Sequence, residues 1–178
     1  MFLENISKEY IMRELSPVIS VFEEQVIPSR VELLENNNYT LNYAWMYSYE
    51  KRLKYRMEGF LGFKLTFDQE KILFGVGGAF AEGLSNAFVH GHRKDNDLPL
   101  NVWVAVSEKG LGFIITDQGQ GFDFNEIYMK FKKGISFFKI AGNGFPLLCN
   151  SSDIIACYRK HGTQLCLLCP IFERKQGK

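Results

Sequence analysis

Residues 78–91 carry the strongest indication of the fold, and they read Gly78-Ala-Phe-Ala-Glu82-Gly-Leu-Ser-Asn86-Ala-Phe-Val-His90-Gly91. From two residues before this stretch, apolar residues recur at every fourth position, which predicts the buried stripe of a helix; they are Val76, Phe80, Leu84 and Phe88. Glu82 and Asn86 have the same spacing on another face, so their side chains are expected to meet one turn apart. Such a pair can share a metal ion and a water or hydroxyl group, or it can be an ordinary solvated hydrogen bond.

Three further glycine-containing pieces follow in the sequence, and they are Asp117-Gln-Gly119-Gln-Gly121-Phe122, Gly142-Asn-Gly144-Phe145-Pro146 and Gly162-Thr163. In their order and separations, the four pieces resemble the nucleotide-binding boxes of the GHKL superfamily, which contains gyrase, heat-shock chaperone, histidine kinase and mismatch-repair ATPases. Within that superfamily, the pattern Glu-x-x-x-Asn-Ala-x-x-His-Gly is most similar to the bacterial anti-sigma-factor serine/threonine kinases. The resemblance covers roughly the second two thirds of the chain.

The resemblance implies a metal ion and a general base on the helix. In the family, the residue that matches Asn86 holds Mg²⁺, an ion that prefers oxygen ligands and keeps several waters. The residue that matches Glu82 accepts a proton from the attacking hydroxyl group, which belongs to serine in a kinase and to water in an ATPase. Histidine kinases generally carry Asn there, so Glu82 disfavours a histidine-kinase fragment. His90 matches a helix-end histidine, expected to be structural or close to the phosphates. A zinc site with His92 is the alternative, but no third ligand is near.

The resemblance also implies an adenine pocket and a phosphate site. Asp117 resembles the aspartate that accepts the adenine amino group, and a carboxylate is an acceptor only, so it would select adenine over guanine. Gly119 and Gly121 would let the backbone approach the base, and Thr163 matches a residue that hydrogen-bonds near the adenine. Taken alone, the Asp117 piece could equally be a turn after a strand. The phosphates are expected at the start of a helix near Pro146, and the residues expected to bind there are Gly142, Gly144 and Phe145.

The composition limits the classes of protein to which this chain can belong. A chain of 178 residues with 46% hydrophobic residues is expected to form one domain with a real core. A formal net charge of +1 gives no reason to expect a nucleic-acid partner. The sequence shows neither a signal peptide nor an apolar stretch of membrane-spanning length, and together with cysteines expected to be free thiols this predicts a cytoplasmic protein. The cysteines are Cys149, Cys157, Cys166 and Cys169. Their apolar neighbours favour buried free thiols over a metal site, and in a strand Cys166 and Cys169 would point to opposite faces.

The chain is expected to have three parts. Residues 1–57 form a helical and aromatic segment packed on the domain, residues 58–172 form the ATP-binding domain, and residues 173–178 form a short basic tail. A helix is predicted from about Ser16 to Val26, with Pro17 in its first turn and Pro28 just past its end. The composition of residues 35–39 predicts a turn or loop. The aromatic stretch after them is either a helix packed on the domain or a surface that meets a partner.

The elements of the domain follow from periodicity and turns. A strand is predicted over residues 60–65, and then one long helix from Thr66 to about His90, started by a capping box with Gln69 or by Asp68 as the cap. Gly75, Gly77, Gly78 and Gly83 cost helix propensity in that helix, and close approach of a neighbouring helix or of the nucleotide would justify them. Two hairpins are predicted, over residues 101–116 and 154–168. The predicted fold is therefore α+β, a two-layer α/β sandwich with a mixed β-sheet and helices on one face. The resemblance specifies a Bergerat-type histidine-kinase-like ATPase fold.

The resemblance implies ATP and Mg²⁺ as cofactors and phosphoryl transfer to a serine or threonine of a protein. The partners that it implies are a sigma factor or a serine-bearing antagonist, in a partner-switching regulatory system, and the chain could also form a homodimer. Two alternatives stay open. One is a non-catalytic nucleotide-gated protein-binding module, in which ATP only orders the lid and changes a partner surface. The other is an ATPase or output domain of a signalling system.

Overall fold

A computed structural model describes residues 6–32, 44–123 and 154–170, together with Glu126, Met129 and Lys133. In chain order its elements are α1 (Lys8–Glu14), β1 (Ser20–Val26), a 3-10 turn (Pro28–Arg30), α2 (Ala44–Leu61), α3 (Phe67–Leu73), α4 (Ala79–Asn86), a π-helical turn (Ala87–Gly91), β2 (Leu100–Ser107), β3 (Gly110–Thr116), β4 (Ile155–Arg159), a second 3-10 turn (Lys160–Gly162) and β5 (Gln164–Pro170). The architecture is α+β, as predicted.

The described strands form one open five-stranded sheet in the order β1-β2-β3-β5-β4. Both predicted hairpins are confirmed, since β2 pairs with β3 and β4 pairs with β5 through tight turns. The prediction of a mixed sheet is wrong for these strands, because all four neighbouring pairs are antiparallel. Strands joined by tight turns must run in opposite directions. β1 is also antiparallel to its neighbour β2.

Helices lie on both faces of the sheet, so the prediction of helices on one face is corrected. α2, α3 and α4 pack on one face in a large cluster that includes Phe80 and Phe113. α1 packs on the opposite face, where Ile11 meets the strands beside Trp103. A Cβ on Gly112 of β3 would lie 2.2 Å from Cγ2 of Ile11, so the missing side chain lets α1 approach closely. The central strands are apolar on both faces, and both faces therefore need a cover.

Residues 20–26 form the edge strand β1, and the predicted helix over residues 16–26 is wrong. Ser20 pairs opposite Val106 and Val26 opposite Leu100. Val21 and Val26 are β-branched residues that suit a strand, and prolines at either end of a segment are compatible with a strand as well as with a helix. Pairing with β2 decided between the two.

The predicted strand over residues 60–65 is also wrong, because α2 continues to Leu61. Leu53, Met57 and Leu61 are buried at helical spacing. Gly62 ends the helix with a φ of 70°, a conformation that suits glycine. The expected boundary between residues 57 and 58 falls within α2. The loop predicted over residues 35–39 lies outside the described residues.

The predicted long helix from Thr66 to His90 is interrupted after Leu73. Its start is confirmed, since Thr66 and Gln69 form the predicted capping box. Gly75 and Gly77 then adopt φ values of 71° and 82°, which break the helix before α4 begins. A Cβ on Gly78 would lie 2.5 Å from the backbone of Leu73, so this turn folds back on the end of α3.

The thiols of Cys157, Cys166 and Cys169 are free and buried, as predicted. Cys166 lies in the cluster on the α1 face and Cys169 in the cluster on the opposite face, so the two side chains do point apart. Burial raises the pKa of the Cys166 thiol to about 12. Cys149 lies outside the described residues. In the described part of the chain, no helix combines the length and apolar character that crossing a membrane requires.

Candidate functional site

α4 holds the predicted catalytic and metal-binding residues beside the sheet. Phe80 and Leu84 are fully buried, and the ring of Phe80 lies 4.8 Å from that of Phe113. The predicted stripe is thus confirmed within α4, but Val76 is wrong because it is 92% exposed in the glycine turn. Glu82 and Asn86 lie on a half-buried flank of the helix.

Gly83 brings this helix close to the strands. A Cβ on Gly83 would lie 2.7 Å from Cδ1 of Ile115 and 2.8 Å from Cδ2 of Leu165. A contact that short is not tolerated without movement, so glycine is needed here for the close approach of β3 and β5. The sequence predicted a helix or the nucleotide as the close neighbour, and for this glycine the neighbour is the sheet.

A π-helical turn, Ala87–Gly91, follows Asn86 directly. The N–H of His92 donates to the carbonyl oxygen of Ala87 at 2.9 Å, a bond that spans five residues. Single π turns inside α-helices occur often at functional sites. The widened turn leaves His90 exposed and directs His92 into the protein.

Asp117 lies at the end of β3, packed between two glycines. Its N–H donates to the carbonyl oxygen of Thr163 at 3.0 Å, and its Oδ1 accepts from the N–H of Gly119 at 2.8 Å. A Cβ on Gly91 would lie 2.4 Å from Cγ of Asp117. Burial raises the pKa of this carboxyl above its usual range. Since a carboxylate can accept several hydrogen bonds, Asp117 keeps capacity for a further donor.

Gly121 lets the loop after β3 pack against the β4–β5 turn. Its φ is 70°, and a Cβ would lie 1.9 Å from the carbonyl oxygen of His161. The next residue, Phe122, donates its N–H to that same oxygen at 2.7 Å. Thr163 lies in the same turn and donates its hydroxyl to the carbonyl oxygen of Lys160 at 2.9 Å. A ligand near Thr163 would therefore meet a hydroxyl whose proton is already engaged.

Tyr158 connects the metal-binding candidate to this loop. Nδ2 of Asn86 and the hydroxyl oxygen of Tyr158 are 3.3 Å apart, with the amide as donor. The ring of Tyr158 meets Phe122 edge-on, with centroids 4.9 Å apart. Sequence reasoning missed Tyr158, since a tyrosine in a predicted strand is usually a packing residue. Because the nitrogen of Asn86 faces Tyr158, the amide oxygen is the atom left for a cation.

His92 was considered in the sequence only as a zinc ligand, and its structural role was missed. It is 3% exposed, and its Nε2 accepts from the N–H of Gln118 at 3.1 Å. Desolvation by burial lowers the pKa of the imidazole, and Asp95 partly opposes this. Within the described ranges, Nδ1 has no hydrogen-bond partner. His92 therefore holds the loop that carries Asp117 through an acceptor that must be unprotonated.

The structure thus brings together most of the predicted site residues that it describes. Asn86, Asp117 and Thr163 belong to one chain of contacts, which Gly119 and Gly121 complete. Glu82 lies one turn before Asn86, and burial raises the pKa of its carboxyl. His90 is exposed and has no place in this set of contacts. The predicted phosphate-binding residues Gly142, Gly144 and Phe145 lie outside the described residues.

A scan against models of known protein families finds no match, and a search among curated proteins finds no relative. Among the described residues, no three His, Cys, Asp or Glu side chains form a group that could hold a metal ion.

Proposed function

We propose that this chain binds ATP with Mg²⁺ and transfers the γ-phosphoryl group to a serine or threonine of a partner protein. The observation that carries the proposal is the convergence of three separate segments, marked by Asn86, Asp117 and Thr163, at one end of the sheet. Polar side chains that loops and helix ends bring together on a rigid sheet are typical of a ligand site. The order of these residues along the chain matches the family that the sequence resembles.

The surroundings of Asp117 suit an adenine base. Gly91 and Gly119 pack directly against the carboxylate, at positions where a side chain would clash with it or with the neighbouring backbone. The half-buried carboxylate is disfavoured by desolvation, so an amino group donating to it would offset that cost. Guanine presents a carbonyl oxygen where adenine presents the amino group, and a carboxylate would repel it. These features support adenine as the base.

The flank of α4 suits a cation and a proton acceptor. The amide oxygen of Asn86 is a neutral ligand of the kind that Mg²⁺ binds, and the bound ion would neutralise phosphate charge during transfer. Glu82, one turn away, would take the proton of the attacking hydroxyl group. Its raised pKa makes it a stronger base than an ordinary carboxylate.

The same proposal includes a specific fold type and specific protein partners. We propose a Bergerat-type histidine-kinase-like ATPase fold, which the order of the boxes supports. The partners proposed are a sigma factor or a serine-bearing antagonist protein. The antiparallel pairing of every described strand pair and the position of α1 on the second face are the features that a solved relative would have to share.

A nucleotide-gated binding module is the second candidate, and one contact favours it. Tyr158 contacts both Asn86 and Phe122. A cation that moved the side chain of Asn86 would therefore act on the loop after β3 through Tyr158. A change there could alter a partner surface without any turnover.

Replacing Asp117 with Asn tests the adenine assignment. Asp117→Asn turns one acceptor oxygen into a donor, so ATP affinity should fall by about 1–3 kcal/mol, and calorimetry with ATP and GTP measures both affinities. Asp68→Asn, at an exposed aspartate of α3, is the matched control and should bind ATP as the wild type does. Equal affinity of the wild type for ATP and GTP would contradict the assignment.

A further inference from the structure

The strand β1 forms one edge of the described sheet. Among the described strands it pairs with β2 alone, through seven residue pairs from Ser20 to Val26. An edge strand directs every second N–H and C=O away from its neighbour, so it can accept a further strand. This edge lies beside α2, and β4 forms the opposite edge of the described sheet.

A groove of about 500 Å³ lies between β1 and α2. Its floor includes Val26, Tyr49 and Leu53, all of which are buried. Its sides carry Arg30, Arg52 and Arg56, with Glu24 as the acidic residue among them. A buried apolar floor with a charged rim is the usual composition of a protein-binding surface.

The charge of Glu24 is already balanced within the groove. Its Oε1 accepts from the hydroxyl of Tyr49 at 2.8 Å, and its Oε2 lies 3.2 Å from Nη1 of Arg56. The guanidinium of Arg56 also lies 3.7 Å from the ring centroid of Phe22. Arg56 is therefore engaged, and it leaves little positive charge for a ligand.

Arg30 and Arg52 are the charges that remain. Both are exposed, and within the described parts of the chain neither forms an ion pair. The turn that carries Arg30 is held in place by Ser29, which donates its N–H to Asn96 at 2.9 Å and its hydroxyl to Asp97 at 2.7 Å. The groove thus presents two exposed arginines beside the edge of β1 that no other described strand occupies.

We propose that this groove docks an acidic extended segment of a partner protein, which adds to β1 as a strand and places carboxylates against Arg30 and Arg52. A peptide backbone would pair with the edge of β1 that no other described strand occupies, which a small anion would not do. Nucleic acid is disfavoured because the whole chain has a formal net charge of only +1. The docking surface is independent of the proposed nucleotide site.

A short synthetic peptide in which glutamate alternates with valine tests the proposal by fluorescence anisotropy. It should bind the full chain, and a counterpart with lysine in place of glutamate should bind at least about tenfold more weakly. Added salt should weaken the binding, because exposed charges are screened. A glutamate peptide methylated on alternate backbone nitrogens should also lose affinity, since it cannot donate to β1.

Charge reversal locates the site. Arg30→Glu and Arg52→Glu should each lower the affinity for the glutamate peptide, and the milder Arg30→Gln and Arg52→Gln should do so less. Arg13→Glu is the matched control, because Arg13 is exposed on α1 at the opposite face of the sheet. It should leave the affinity unchanged.

Three results would overturn the proposal. They are equal binding of the glutamate and lysine peptides, an equal loss in Arg13→Glu, and unchanged binding of the methylated peptide. A dimer of the chain that dissociates when Arg30 and Arg52 are reversed would assign the groove to a second copy instead. ATP calorimetry on the same variants keeps this outcome separate from that of the nucleotide proposal.

Discussion

The imidazole of His92 lies between the π-helical turn and the loop that carries Asp117. Nε2 accepts from the N–H of Gln118, so that nitrogen must carry no proton. Burial favours this neutral form and lowers the pKa from its ordinary value of 6.5. Protonation would place two donors against each other and release the loop.

We expect ATP affinity to depend on pH through His92. Because the folded-state pKa is lowered, the contact is intact above pH 6.5 and is lost as the pH falls through the folded-state value. His92→Gln should remove this dependence, since its side-chain oxygen can accept at the position of Nε2. His92→Phe should weaken binding at every pH. Calorimetry over a pH series measures the affinity, and the NMR shift of the Gln118 amide reports the contact without nucleotide. An amide shift that does not titrate would contradict the role.

Glu82 is the residue that separates an enzyme from a gated module. Glu82→Gln keeps the shape of the side chain and removes its basicity. ATP affinity should change little, while phosphoryl transfer should fall by roughly 10²–10⁴-fold, the usual share of a general base. Single-turnover transfer of labelled phosphate to a serine-bearing protein or to water measures the rate. An equal fall in binding and rate would instead indicate a structural carboxylate. Unchanged transfer would exclude Glu82 as the base.

The position of α4 depends on a glycine that helix propensity disfavours. The absent side chain of Gly83 lets the helix lie against Ile115 and Leu165. This approach places Asn86 within reach of Tyr158 in β4. The helix therefore gives up intrinsic stability so that its polar flank can meet the strand ends.

We expect Gly83→Ala to destabilise the protein although alanine is the better helix former. The gain of about 1 kcal/mol in propensity is opposed by overpacking against two side chains, which costs about 1–3 kcal/mol. The matched control is Gly59→Ala in α2, where a Cβ would meet nothing within 4 Å. That variant should be stabilised by about 0.5–1 kcal/mol. Urea unfolding measures both changes, and stabilisation of both variants alike would contradict the close packing.

At the scale of the whole molecule, Glu50 couples α2 to the glycine turn before α4. It is 6% exposed, and its Oε2 accepts from the N–H of Gly75 at 2.9 Å. Burial raises the pKa of this carboxyl to about 7, and the hydrogen bond from Gly75 only partly opposes the shift. The folded state therefore holds a proton that the unfolded chain would release.

We expect this proton to make stability depend on pH. The favourable contribution is complete below the ordinary pKa of 4.5 and is lost as the pH rises to about 7. Glu50→Gln should remove the dependence. The free energy of unfolding of the variant should equal that of the wild type near pH 4.5 and exceed it by about 3 kcal/mol at pH 8. Urea unfolding at both pH values measures the difference. Glu108→Gln, in the exposed β2–β3 turn, should keep the wild-type slope. A wild type equally stable at both values would contradict the coupling.

Local patterns in the sequence were sufficient for several elements. The two hairpins, the capping box at Thr66 and the buried stripe through Phe80 and Leu84 were predicted correctly, because each depends on neighbours within a few residues. The opposed thiols of Cys166 and Cys169 followed from the alternation of side chains along a strand. The roles of Glu82, Asn86 and Asp117 came from the resemblance to the GHKL boxes, and they stay a prediction.

The remaining features could not be read from local patterns, because they depend on contacts between distant parts of the chain. Pairing with β2 made residues 20–26 a strand, and packing of α2 on the sheet carried that helix through Leu61. The contacts of His92 and Tyr158 join residues 26 and 72 positions apart, and no local pattern encodes them. The identity of the side chains at the candidate site follows from the amino-acid sequence alone. The approach of α4 to the sheet at Gly83 determined that they meet, since that distance is set by packing across the core.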